Sequence, residues 1–209
     1  NSNICTRRTI YRLSYIPISE KMSIDPETIK KERSTGWREA LRAKTKNKDR
    51  IAVERVHMPE LEPGIRVHHQ DREVNRGLSL AQASLEATRC MDCVNPTCIE
   101  GCPVSINIPK FVKYIENGEV LQAAATLKET NALPAVCGRV CPQEKQCESR
   151  CFYVEKLNKP SVAIGHLERF AADFERESVS CNIPETLPPN GIKVATVGSG
   201  PAALAFAGD

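Results

Sequence analysis

A chain of 209 residues holds one full domain and part of a second, and is too short for a large two-domain enzyme. Its 29 basic residues nearly balance 26 acidic ones, so composition gives no reason to expect a nucleic-acid or acidic-substrate partner. No run approaches about 18 consecutive apolar residues, and the first residues lack an apolar core with a cleavage site. Neither a membrane span nor a signal peptide is read, and the expected location is the cytoplasm.

Taken from the start, residues 1-53 form a basic extension, expected to be flexible or partly helical. Lys30 to Arg50 holds nine Lys or Arg opposed only by Glu32, Glu39 and Asp49, a pattern that usually marks a solvated face and otherwise a docking surface for a larger partner. Residue 1 is Asn, and Met22-Ser23 opens a more protein-like stretch, so residues 1-21 are read as an added or wrongly extended start. Ser79 followed by Gln82 is a capping box leading into an alanine-rich helix that ends near Cys90. Pro109 at a first turn and Gly118 beyond the end bracket a second helix from Ile108. Val120, Ala123, Ala124 and Leu127 recur at helical spacing within 119-130, with Asn131 as the stop. Ile164, Leu167, Ala171 and Phe174 predict a helix over about 162-177, capped by Ser161. A proline-rich linker covers 183-191, then Ile192 to Val197 reads as a strand and Gly198-Ser199-Gly200-Pro201-Ala202-Ala203 as a turn into an apolar helix. The predicted class is mainly α, with 54-182 as the central domain and 192-209 opening another.

Ten cysteines dominate the chemistry. Eight fall between Cys90 and Cys151, leaving Cys5 and Cys181 outside. Without a secretory signal this crowd points to metal or cluster binding rather than a disulfide scaffold. The runs are Cys90-x2-Cys93-x4-Cys98-x3-Cys102-Pro103 and Cys137-x3-Cys141-Pro142-x4-Cys147-x3-Cys151. Thiolates suit both zinc and iron-sulfur clusters. The Cys-Pro steps and tight spacing approach the bacterial ferredoxin pattern, with x4 where that pattern has x2, and favour two clusters over zinc sites or free thiols. In two-cluster ferredoxins the fourth cysteine of a run crosses to the other cluster. By that logic Cys102 joins Cys141, Cys147 and Cys151, and Cys90, Cys93 and Cys98 need a fourth ligand. Cys137 is the obvious thiol for it, or else a small buried apolar residue. His57, His68, His69 and His166 show no metal-binding spacing.

Arg89-Cys90-Met91-Asp92-Cys93, Gly101-Cys102-Pro103-Val104, Glu129-Thr130-Asn131, Gly138-Arg139-Val140-Cys141-Pro142, Gln146-Cys147-Glu148 and Ile164-Gly165-His166-Leu167-Glu168-Arg169 carry a resemblance. They resemble the family that includes the small subunit of NADPH-dependent glutamate synthase, the large subunit of NADH-dependent reduced ferredoxin:NADP oxidoreductase and the N-terminal iron-sulfur domain of dihydropyrimidine dehydrogenase. The resemblance covers roughly residues 54 to 209. It implies an alpha-helical ferredoxin-like domain with two 4Fe-4S clusters, followed by a Rossmann-like FAD-binding domain. It implies one cluster on Cys102, Cys141, Cys147 and Cys151 and the other on Cys90, Cys93, Cys98 and Glu168, with Cys137 a non-ligand.

Gly198, Ser199, Gly200, Pro201, Ala202 and Ala203 match the FAD fingerprint, in which glycines let the pyrophosphate approach a helix N-terminus. The acidic residue expected about 20 positions later is not in the sequence given, so the chain is read as an N-terminal fragment, inactive and a poor FAD binder by itself. For the intact protein the resemblance implies an oxidoreductase in which NADPH or NADH reduces FAD, and electrons pass through the clusters to the glutamate-forming large subunit or another electron-accepting subunit. A zinc-stabilised adaptor docking through its basic N-terminal region is the alternative of another class.

Overall fold

The computed structural model describes residues 24–178 and 188–208. Cys5, Cys181, the reading of residues 1-21 and most of the proline-rich linker lie outside the described residues. In chain order the helices are α1 (Pro26–Arg33), α2 (Gly36–Lys44), α3 (Asn47–Ala52), α4 (Pro63–Arg66), α5 (Leu80–Thr88) and α6 (Thr97–Glu100). After them come α7 (Ile108–Glu116), α8 (Val120–Lys128), α9 (Pro134–Val140), α10 (Phe152–Leu157), α11 (Ile164–Glu177) and α12 (Pro201–Gly208). Among the described residues extended pairing is limited to one isolated antiparallel bridge, Glu60 with Asn75.

The four longer helices foreseen from periodicity are present. α5 opens on the capping box, in which the Ser79 hydroxyl accepts from the Gln82 amide while the Gln82 side chain accepts from the Ser79 amide. α7 starts with Pro109 in its first turn and α8 follows within the expected span. α11 begins at Ile164, and Ser161 is not its cap. The Ser161 hydroxyl instead donates to a Glu148 carboxylate oxygen at 2.9 Å and accepts from Arg55 at 2.6 Å. A buried carboxylate is the stronger partner for that hydroxyl.

The core lies where these helices meet. α11 packs on α9 and α8, and α7 packs between α8 and α5. Phe111, Val112 and Ile115 from α7, Ala123, Ala124 and Leu127 from α8, and Leu167 and Ala171 from α11 are all buried. Burial of each large apolar side chain contributes roughly 1.5–3 kcal/mol. Gly138 is the close contact between α9 and α11: a Cβ there would lie 2.6 Å from the Arg169 amide nitrogen.

Residues 24–53, foreseen as part of a flexible or partly helical basic extension with a solvated face, fold against this bundle as α1 to α3. Trp37 stacks on Tyr114 with ring centroids 4.5 Å apart, and Arg38 and Arg50 are fully buried. Residues 192–197 form no strand, although the sequence reads as one. A strand is held by ladder hydrogen bonds to a neighbour, and none is paired here. Ile192, Val194 and Val197 are left exposed, and Gly198 at φ +109° precedes α12.

Candidate metal centres

Most of the cysteines lie in or beside short helices, with Cys147 in the turn that precedes α10. Cys90 follows the last turn of α5, and Cys93 lies beyond Asp92, whose φ of +54° turns the chain sharply between them. α6 carries Cys98 and is followed by Gly101 and Cys102. α9 carries Cys137 and is capped by Cys141, while Cys151 caps the N-terminus of α10, where the helix end favours a thiolate. Glu168 sits in the middle of α11 and is buried.

Mutual charge shows which donors are neighbours. Burial pushes the Cys98 thiol well up, and negative charge on Cys90, Cys151, Cys93 and Cys147 adds to it. The Cys93 thiol is pushed up to about 12 by burial, then by Cys90 and Cys151. Burial also raises Cys90, with Cys151 among its neighbours, and Cys151 itself. In a second group, burial and then Cys137, Glu168 and Cys102 raise Cys141 to about 11. Burial, Glu148, Cys102 and Glu168 raise Cys147 to about 12. Burial, Glu168 and Cys137 raise Cys102. Backbone amides of Asp92 at Cys90, Ile106 and Val104 at Cys102, and Tyr153 and Val162 at Cys151 favour the thiolates without outweighing burial.

By these mutual effects Cys90, Cys93, Cys98 and Cys151 form one group of neighbours, and Cys102, Cys141, Cys147 and Glu168 another. This differs from the arrangement implied by the resemblance, in which Cys151 and Glu168 stand in each other's place. Two contacts accompany the difference. The Tyr153 hydroxyl lies 2.9 Å from the carbonyl oxygens of both Arg50 and Arg89, and the Arg89 guanidinium lies 4.7 Å from the Tyr153 ring centroid. These contacts pin the start of α10, and Cys151 with it, beside Cys90. The close approach at Gly138 sets Glu168 of α11 beside Cys141 of α9. Crossing thus occurs in both runs, each lending its fourth cysteine to the other group.

Asn131 organises the second group, and sequence reasoning treated it only as a helix stop and part of the Glu129-Thr130-Asn131 motif. Its side-chain amide donates to Glu168 Oε1 at 2.9 Å, and its Oδ1 accepts from the Leu133 amide at 3.0 Å and the Cys137 thiol at 3.6 Å. Burial raises the Glu168 carboxyl to about 7, against the pull of the Asn131 hydrogen bond. Cys137 is a neighbour of this group rather than of the first, where it had been weighed as a ligand.

The eight thiols from Cys90 to Cys151 are all free. Among the described residues no three His, Cys, Asp or Glu side chains converge closely enough to hold one metal ion. His57 and His68 are exposed, and burial lowers His166. Ser199 to Ala203 lie in the mostly exposed 188–208 segment, where Pro201 opens α12. No helix among the described residues is long and apolar enough to cross a membrane.

Comparison with known proteins agrees with this chemistry. The chain is 39% identical over 135 residues to the glutamate synthase (NADPH) small chain of Escherichia coli (strain K12), covering 65% of this chain and 28% of that protein. It is 34% identical over 152 residues to the glutamate synthase (NADPH) small chain of Azospirillum brasilense, covering 72% of this chain and 31% of that one. It is 40% identical over 119 residues to the NAD-dependent dihydropyrimidine dehydrogenase subunit PreT of Escherichia coli (strain K12), covering 57% and 28%. The chain thus spans less than a third of the length of these relatives. Residues 66–180, over half of the chain, match the family described as dihydropyrimidine dehydrogenase domain II, 4Fe-4S cluster, and the protein belongs to that iron-sulfur family.

Proposed function

We propose that the two donor groups hold two 4Fe-4S clusters, the first on Cys90, Cys93, Cys98 and Cys151 and the second on Cys102, Cys141, Cys147 and Glu168. The observation that carries this is the way eight buried or half-buried donors fall into two sets of four. The donor chemistry fits: seven soft thiols, amides directed at their sulfurs, and spacing too wide for one ion but close enough for strong mutual repulsion. Such a cluster, when bound, supplies one-electron transfer. The chain's own part is to keep the thiols from water, fix their directions from helix ends and carry Glu168 as an oxygen donor that Asn131 orients.

In the whole protein this domain serves an NAD(P)H-dependent FAD oxidoreductase of the glutamate synthase small-subunit type, delivering electrons to a glutamate-forming large subunit in the cytoplasm. Gly198 to Ala203 form the FAD pyrophosphate turn, and residues 192–197 become a strand once other strands can pair with them. Support comes from the likeness to two glutamate synthase small chains. The likeness to PreT favours a second reading, a pyrimidine-reducing partner, and the exchange of electrons with ferredoxin is a third. Anaerobic reconstitution tests the shared part. About eight irons and eight sulfides per chain are expected, whereas stoichiometric zinc without sulfide would favour the adaptor reading. Cys137→Ser is expected to keep the full iron content, and Cys141→Ser to lose about half.

A further inference from the structure

The cations of α1 to α3 converge on the Cys90–Cys93 turn. Arg33 Nε donates to the Asp92 carbonyl at 2.7 Å, and Arg42 donates to Asp92 Oδ2 at 2.5 Å and to the Arg33 carbonyl at 2.9 Å. Arg38 pairs with the same Asp92 carboxylate, and both are fully buried. Arg50 donates to the carbonyls of Cys90 at 3.2 Å, Thr88 at 2.5 Å and Leu41 at 2.8 Å, and pairs with Glu116 at 2.9 Å. Lys113 reaches the Cys90 carbonyl and Glu116, both at 2.5 Å. Five cations therefore face the carboxylates of Asp92 and Glu116 around one ligand loop, with the exposed Glu39 3.9 Å from Arg42 as a third. Arg38 Nη1 is buried there without a hydrogen-bond partner. Beside the second group no such convergence of cations is seen among the described residues: Glu148 pairs with Arg55, and the neutral Asn131 holds Glu168. α1 to α3 lie before residue 66, outside the region matched by the family.

We propose that α1 to α3 form a cationic strap that raises the reduction potential of the first donor group above that of the second, with Arg38 and Arg50 as its positioning residues. The proposal rests on the cluster assignment above. Reduction adds one electron and makes or breaks no bond; the electron comes from a reduced flavin in the whole protein and from dithionite in the test. The added negative charge is favoured by an excess of buried cations, because the interior screens charge far less than water does. Hydrogen bonds and net charge around a cluster are recognised determinants of its potential. Arg38 Nη1 supplies a buried donor whose acceptor the strap leaves open.

Redox titration of the reconstituted full chain, followed by electron paramagnetic resonance, tests it. At the poise where the wild-type first cluster is half reduced, Arg38→Gln is expected to raise its oxidised-to-reduced ratio about tenfold, 59 mV for a one-electron couple. The second cluster should titrate unchanged, and Arg38→Lys should restore most of the shift. Should Arg38→Gln fail to fold by circular dichroism, Arg42→Gln, whose side chain is 19% exposed, is expected to show a smaller shift in the same direction. An unshifted first cluster, or equal shifts in both, would overturn the strap proposal. A wild-type chain that takes up no iron and sulfide would instead defeat the cluster assignment, which the iron analysis reads separately.

Discussion

The two donor groups share one bundle and differ in almost everything around them. The first is all thiol, closed by Cys151, and tied down by arginines 40 and 54 residues upstream of the groups they hold. The second ends in a carboxylate, and its surroundings are Asn131, Cys137 and Glu148 in place of a cluster of arginines. The difference teaches that repeated cysteine spacing specifies two sites without making them equivalent. Charge and hydrogen bonding imposed by neighbouring helices set them apart.

The largest expected effect breaks the grouping itself. If Cys151 belongs with Cys98, then Cys151→Ser and Cys98→Ser remove about half of the iron and abolish the same resonance signal, while Cys147→Ser abolishes the other. Cys151→Ser matching Cys147→Ser instead would restore the arrangement implied by the resemblance. Next is the clamp on the first loop. Asp92→Ala leaves Arg38 buried without its carboxylate, and breaking such a buried pair costs about 3–5 kcal/mol. Urea unfolding of the metal-free chain reads this, with a change below about 1 kcal/mol contradicting a structural clamp.

Smaller effects fall on the second group. Asn131→Ala removes the amide that orients Glu168 and is expected to weaken iron retention there about 10–100-fold, as loss of an outer partner does at metal sites, leaving the first group intact. Chelator-driven iron release resolves the two. Acid acts on a requirement the two groups share: ligands bind deprotonated, so falling pH favours release and rising pH favours retention in both.

Much of this was legible in the sequence, and the remainder has a physical reason for being hidden. α5, α7, α8 and α11 announce themselves because a cap or a sustained apolar stripe lies within each helix. The cysteines stand out in the sequence as one residue type at close spacing, and Glu168 only through the resemblance. Their grouping was not legible, since it depends on which helix ends meet: Tyr153 reaching Arg50 and Arg89 for Cys151, and the bare Gly138 for Glu168. Applying the crossed-ligand rule to both cysteine runs would have found it. The strap was illegible for a similar reason. Arg38 and Asp92 are 54 residues apart, and a basic run carries no sign of whether its charges meet water or a buried carboxylate. Residues 192–197 show the opposite failure, a strand pattern without a partner strand.

The central claim is that the eight donors hold two clusters. Iron and acid-labile sulfide per chain on anaerobically purified protein, with the visible spectrum before and after dithionite, tests it most directly. About eight of each per chain, with broad absorption that bleaches on reduction, is the predicted result. A colourless chain holding zinc and no sulfide would contradict it.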